Sequence, residues 1–474
     1  MINKDGKAII LVMFVLVILI LIAALPWYFI VSRNLLDSES LGRTSMPSEP
    51  VDRIDDEPLE DDEKPEPEPE PEEPEPEPEP ILWFDIPQDD IVTDIRSLNP
   101  SLFRELNDIS SDYNAVAAGL VVFDGETGEY FTYEYGHADV EAGRLLDADT
   151  KFRVASLSKL TTVICAMVLA DEGLIDLDTD ISVYLGYEVK NTNYPGAVIT
   201  TRMLMQHTSS IFDSGAFQVS RDRNSSESIR FLLERGSSFR RNQPGSTFEY
   251  TNFGYSVIGA ICENVSGKSL DTLAREVLFE PLDIDAAYVP SNMQDTENIA
   301  VIYNERHVVT RSVSDQLETI ESATLGHDLH LAQGNLTISV IDYARILAML
   351  GNGGVLRDVR ILSDEAVRDM HNTNVDGISY EQGLATRFSF GDFIPGAGFF
   401  WHTGSAYGLF SQYIYSDTIA FNRGIVVVTT GARTDREPNG MVSVCTDLSV
   451  AVWESWDTLS SSESDDDAAE EEED

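Results

Sequence analysis

Apolar and polar positions divide this chain into stretches of different character. Residues 8–31 form a run of 24 uncharged positions, mostly Ile, Leu, Val, Ala and Phe. As a helix, such a run crosses a hydrocarbon core of about 30 Å, so it predicts a membrane span. Trp27 and Tyr28 fall where interfacial anchors belong. The run is longer than the apolar core of an ordinary cleaved signal, which is the alternative reading. Further along, 115–123 and 130–135 are β-type runs separated by Asp124-Gly125-Glu126-Thr127-Gly128, the pattern of a hairpin. Segments 409–415 and 424–430 read as strands near the far end, followed by a helix over about 440–453. Between these ends, 157–172, 255–265, 270–278 and 338–350 read as helices. The expected architecture is α+β. An antiparallel β-sheet, built from both ends of the globular region and flanked by helices, carries an inserted α-helical subdomain.

Charge sharpens these boundaries. The chain holds 82 acidic and 32 basic side chains, a formal net charge of −50. Residues 1–99 contribute 24 acidic and 7 basic groups, and 457–474 contribute 10 acidic and none basic, which leaves 100–456 at −23. Such a field repels polyanions, so nucleic acid is not an expected partner. The Pro-Glu repeats within 48–80 cannot build a core and predict an extended spacer, about 100 Å long at about 3.1 Å per residue in polyproline II geometry. The expected organisation is a cytoplasmic N-terminus (1–7), a transmembrane anchor (8–31), an acidic Pro/Glu-rich disordered linker (32–99), a globular domain (100–456) and an acidic disordered tail (457–474). Lys4 and Lys7 precede the span and acidic chain follows it, which predicts a single-pass protein of the cell membrane with its globular domain outside. Cys165, Cys262 and Cys445 lie in separate apolar stretches and read as small buried hydrophobes, with one disulfide plus a free thiol as the alternative.

Three short segments carry chemistry. Ser156-Leu157-Ser158-Lys159 lies where an apolar helix begins, and a spacing of three puts Lys159 on the same face as Ser156. A serine hydroxyl needs a base to take its proton, and a lysine sheltered from water is one. Tyr250-Thr251-Asn252 opens another helix and supplies a phenol for proton transfer and an amide to orient a substrate carbonyl. His402-Thr403-Gly404-Ser405 falls between two strands, with polar side chains at His402 and Thr403, a glycine permitting close approach, and the Ser405 N–H available to a substrate. His327-x-x-His330 has helical ligand spacing but no third ligand, so neither a metal nor any other cofactor is expected. His207 lies outside the three segments and reads as a structural hydrogen-bonding residue.

Together and in this order, the three segments resemble the serine β-lactamase and penicillin-binding protein superfamily. Tyr-x-Asn and His-Thr-Gly resemble the branch holding class C β-lactamases and D-alanyl-D-alanine carboxypeptidases. The resemblance spans about 100–456 and includes the flanking stretches 171–178, 204–209 and 351–354. It implies that Ser156 is acylated, that Lys159 and Tyr250 handle its proton, and that the Ser156 and Ser405 amides form the oxyanion hole. Asn252, His402, Thr403 and Gly404 would bind substrate. Two positions depart from the pattern. His402 stands where class C β-lactamases usually have Lys, and Ser210 where relatives commonly have Gly. The expected substrate is a small molecule or peptide cut at a peptide or amide bond, with cell-wall peptide as one source. Esterase or weak β-lactamase activity follows, and a non-catalytic binding module is the reading from another class.

Overall fold

The computed structural model describes residues 89–222, 229–375, 380–391, 397–416, 422–437 and 440–460. Among them no helix is long and apolar enough to cross a membrane. The predicted span 8–31, the N-terminus before it and most of the linker lie outside the described residues, as does the tail from 461 onward.

The backbone of the fold is a nine-stranded sheet drawn from both ends of the domain. Its main strands are β1 (Ile91–Asp94), β2 (Ala117–Asp124), β3 (Glu129–Asp139), β4 (Arg387–Phe390), β5 (Gly398–Ala406), β6 (Leu409–Ser416) and β7 (Arg423–Thr430). They run in the order β1-β3-β2-β7-β6-β5-β4 and end on the short pair Glu381–Gln382. The N-terminal hairpin meets the C-terminal meander where β2 pairs antiparallel with β7 along its whole length, Asp124 opposite Arg423 and Ala117 opposite Thr430. Asp124 closes the β2–β3 turn by accepting from the Glu126 and Thr127 amides, and its other oxygen accepts from Arg423 at 2.8 Å.

Every residue of β2 is buried, because both faces of the sheet are covered. Leu120 and Val122 pack with α1 (Pro100–Asp112) and α5 (Ser443–Glu454), whereas Val121 and Phe123 face the larger core holding α2 (Ser158–Asp171), α3 (Asn252–Ser266) and α4 (Val340–Gly351). The period-two alternation of a strand thus feeds two cores at once. Twelve of the fourteen residues of α2 are buried, which suits a central helix that is apolar all round. Between α2 and α4 the regular elements are mainly short helices joined by long loops, and α3 packs directly on α2. The α+β expectation holds. All three cysteines are free and buried.

Several boundaries differ from the expected ones. The globular part starts before residue 100. β1 pairs parallel with β3, Ile95 is fully buried, and Asp90 accepts from Arg345 and Arg357. A charge count hides this because the few apolar residues after the Pro-Glu repeats sit beside acidic ones. At the other end the chain remains helical over Asp457–Ser460, where Leu459 is buried. The predicted helix 270–278 is an α-helix only over Leu270–Ala274 and continues as a π turn, Arg275–Phe279.

Candidate active site

Ser156 sits on a turn fixed from several directions. Strand Lys151–Arg153 leads to Ala155, which adopts a left-handed φ of 50°, then to the 3-10 turn Ala155–Leu157 and into α2. Ser158 donates to the Ala155 carbonyl at 2.6 Å and accepts from the Leu336 amide at 2.9 Å. Ser411 of β6 donates to the Val154 carbonyl at 2.8 Å, and Tyr343 of α4 to the Leu157 carbonyl at 2.9 Å. A non-glycine residue in the left-handed region persists only where its surroundings hold it, and these four bonds do so.

The predicted proton-transfer residues converge on this serine. Lys159, one helical turn on and 0% exposed, places Nζ 3.2 Å from Ser156 Oγ. The same nitrogen donates to Asn252 Oδ1 at 2.9 Å and to the Gln333 carbonyl at 2.6 Å, which fixes it with its third position facing Ser156 Oγ. The Tyr250 hydroxyl lies 2.9 Å from Ser156 Oγ. Thr251 caps α3 by accepting from the Gly254 amide, which sets Tyr250 just outside the helix and Asn252 just inside it.

Asp213 organises this corner. One carboxylate oxygen accepts from Thr251 Oγ1 and from the Asn252 and Phe253 amides, each at 2.8 Å, and the other accepts from Asn252 Nδ2 at 2.9 Å. The arrangement holds a negative charge at the α3 N-terminus and fixes the Asn252 amide with its oxygen toward Lys159. Buried His207 supports the phenol. Its Nδ1 accepts from the Thr251 amide at 3.2 Å and its ring centroid lies 4.6 Å from that of Tyr250. Burial, reinforced by Lys159 and Arg387, holds this imidazole well below its ordinary value, so it is neutral. Ser210 in the same loop has a φ of 65°, the backbone state that glycine favours, and its hydroxyl accepts from Asn191 at 3.0 Å.

The opposite wall is β5. Thr403 and Ser405 line a cavity of about 590 Å³ together with Ser156, Tyr250 and Asn252. His402 and Gly404 stand behind that wall, His402 against Tyr250 and Gly404 against the Ser156 turn. The His402 ring is buried, 6.2 Å from the Tyr250 ring, and Nδ1 bonds to the Thr403 carbonyl at 2.8 Å. Burial, then Arg387 and Lys159, hold it well below its ordinary value. Gly404 is a packing position. A Cβ there would lie 2.2 Å from Ser411 Oγ, 2.6 Å from the Val154 carbonyl and 3.1 Å from the Ser156 nitrogen. Its bareness lets β5 lie against the Ser156 turn, with the Gly404 backbone close to the Ser156 amide.

The model of the Beta-lactamase family matches residues 101–442. The chain belongs to the Beta-lactamase family. "Protein flp" of Staphylococcus aureus (strain MRSA252) is 25% identical over 205 residues, 42% of this chain and 39% of that protein. "Penicillin-binding protein 4" of Amycolatopsis lactamdurans is 28% identical over 178 residues, 37% of this chain and 45% of that protein. The matched stretch thus spans less than half the length of either relative. Among solved structures, the "Beta-Lactamase/D-Alanine Carboxypeptidase" from Pseudomonas syringae superposes with a TM-score of 0.59 at 17% identity, over 75% of this chain and 98% of that one. That likeness concerns the fold: the central sheet flanked by helices is the family's hydrolase architecture.

Two residues of this β-lactamase-family site carry no sequence signal. Asp213 lies 39 positions from the amide it fixes. Arg387 of β4 lines the cavity, with its guanidinium 5.8 Å from the Tyr250 ring centroid, 4.5 Å from that of Tyr380 and 5.0 Å from that of Trp401. Its Nε is buried and finds no hydrogen-bond partner among the described residues.

Proposed function

We propose that the chain is a serine hydrolase that cleaves peptides ending in a free carboxylate through an acyl-enzyme on Ser156, with D-alanyl-D-alanine carboxypeptidase-like activity. One observation carries the reading: a serine oxygen within hydrogen-bond reach of both a buried amine and a phenol, opening on a cavity with a guanidinium beside the phenol. In the first step the Ser156 oxygen bonds to the scissile carbonyl carbon, its proton passing to the Lys159–Tyr250 pair. The Ser156 and Ser405 amides hold the oxyanion. The C–N bond then breaks, and Tyr250 returns the proton to the departing amine. Water completes the cycle by attacking the ester, with the same pair as base. Arg387 beside Tyr250 stands on the leaving-group side, where it would pair with a terminal carboxylate. Asn252 keeps one amide hydrogen for a substrate carbonyl. The Pseudomonas syringae protein that shares this fold is described as a β-lactamase/D-alanine carboxypeptidase, which supports this substrate class.

Residues 8–31 would anchor the protein in the cell membrane, with the catalytic domain outside on the Pro-Glu spacer and within reach of cell-wall peptide. Membrane fractionation with protease accessibility checks that arrangement; a soluble, protected catalytic domain overturns it.

Purified protein assayed with an N-acylated D-alanyl-D-alanine peptide, its C-terminal amide, nitrocefin and a short acyl ester tests the activity. Turnover greatest for the free acid, and abolished in Ser156→Ala, is the expected result. Faster nitrocefin or ester turnover replaces the substrate class. Failure of Ser156 to label with a fluorescent penicillin or a fluorophosphonate points to a non-catalytic module.

A further inference from the structure

The cavity is basic in a domain that is acidic. Residues 100–456 carry a net −23, yet among the described residues lining the cavity there is no Asp or Glu, and Arg153, Arg387 and Arg436 are present. Arg436 is exposed, and its guanidinium donates to the Gly440 carbonyl. The other two lie at different stations. Arg387 is beside Tyr250, the group that returns a proton to the leaving amine. Arg153 is bound to the Gly334 carbonyl at 3.0 Å and faces Tyr407, its guanidinium 5.0 Å from the ring centroid. Arg311 stacks on the same ring at 3.8 Å.

Tyr407 is an unusual residue for its position. With Gly408 it forms the two-residue turn between β5 and β6, at φ values of 59° and 96°. Such turns favour Asn and Gly, and a bulky residue there is strained. Thr310 secures it by donating to its carbonyl at 2.6 Å. The residue is nonetheless 44% exposed and lines the cavity. Burial alone would raise the phenol, but Arg153 and Arg311 outweigh it and hold it below its usual value. Tyr407 lies four residues beyond Thr403, about 13 Å along an extended strand, so this basic corner is well separated from Thr403 and the Arg387 end of the wall.

We propose that Arg153, Tyr407 and Arg311 form a second anion subsite, so that the preferred substrate is anionic on both sides of the scissile bond. One carboxylate lies on the leaving group toward Arg387. The other lies on the acyl part, as an acidic side chain or free carboxylate one or two residues before the cleaved bond. The inference rests on Ser156 as nucleophile and on the orientation given by Tyr250 and Arg387. Both guanidiniums gather on the Tyr407 phenol at the cavity's edge, and the positive charge concentrated there would attract an anionic acyl group.

The test compares phenyl thioesters of N-succinyl-D-alanine and N-butyryl-D-alanine, followed by thiol release. Thiophenol carries no carboxylate, so any difference reports the acyl side, and the result is independent of whether peptides are cleaved. Wild-type kcat/KM is expected to be about tenfold higher for the succinyl compound at low salt, with the ratio shrinking as salt rises. Arg153→Gln and Arg311→Gln should each bring the ratio toward one. Arg311→Gln serves if loss of the Arg153 bond to Gly334 disturbs folding. A wild-type ratio near or below one overturns the subsite while leaving the peptidase reading to its own assay. A high ratio unchanged in Arg311→Gln overturns the assignment to this corner. No acylation by either thioester removes the nucleophile and this inference with it.

Discussion

The two walls of the cleft are built differently. On the helical wall, Ser156, Lys159, Tyr250 and Asn252 are tied to one another and to Asp213, and each bond fixes the orientation of the next. On the strand wall, Thr403, Ser405 and Tyr407 stand on a hairpin arm, and Arg387 reaches in from the neighbouring strand, where it pairs in register with Trp401. The first wall holds the proposed reacting atoms within hydrogen-bond distance, as bond making requires. The second carries Arg387 at one end and, at the other, Tyr407, on which Arg153 and Arg311 converge from other elements, and such separated cations suit recognition of extended, charged groups. The proposed chemistry and the Arg387 contact thus sit on different elements and should respond to different mutations.

The sharpest way to break the contrast is to force the walls apart. In Gly404→Ala the new Cβ collides with Ser411 Oγ and the Val154 carbonyl, shifting β5 away from the nucleophile turn. Activity should fall roughly 100-fold for every substrate alike, because misplacement of about 1 Å has that effect. Steady-state rates on a charged and a neutral ester check this, and loss confined to one of them would show that Gly404 acts on specificity. On the recognition side, Arg387→Gln should raise KM for a carboxylate-terminated peptide about 30-fold while leaving kcat within a few-fold. The corresponding C-terminal amide should be nearly indifferent. An equal KM rise for acid and amide refutes the pairing.

On the chemical wall, Asp213→Asn sets a donor against Asn252 Nδ2, and the amide can escape only by turning its nitrogen toward Lys159. We expect kcat to fall about tenfold with KM little changed, because a positioning group is disturbed while binding cations stay in place. A KM effect without a kcat effect would move Asp213 to the other wall. The smallest expected effect concerns pH. A depressed histidine is uncharged above its folded value, so His402 gains no charge between about pH 6 and pH 8. The charge met by a terminal carboxylate is then that of Arg387, and KM should vary less than about twofold over that range. A KM that rises steadily through about pH 6.5 would identify a titrating histidine as the binding cation.

The legible parts of this protein are those with short-range physical codes. Apolar runs predicted β2, β3, β6 and β7, and α2 begins within one residue of the expected position. A spacing of three on a helix put Lys159 beside Ser156, and a turn before a helix put Tyr250 and Asn252 at its mouth. β1 was missed because its four residues pair in parallel with a strand almost 40 positions away, and no local pattern announces that partner. His402 was expected in the cleft because its segment is there. Packing decides how such a segment meets the cleft: Thr403 and Ser405 line the cavity, while the His402 ring is buried behind it beside Tyr250.

Sequence alone therefore indicated the Ser156 turn and its candidate partners, through their resemblance to the family, and a sheet assembled from both ends, through hydrophobic period. Tertiary structure decided that Asp213 clamps Asn252, that Arg387 reaches the phenol and that Arg153 and Arg311 flank Tyr407. Those contacts join residues 39 to 254 positions apart. Charges that distant in the chain come together only when strand register and loop packing bring them there, and a linear pattern contains neither.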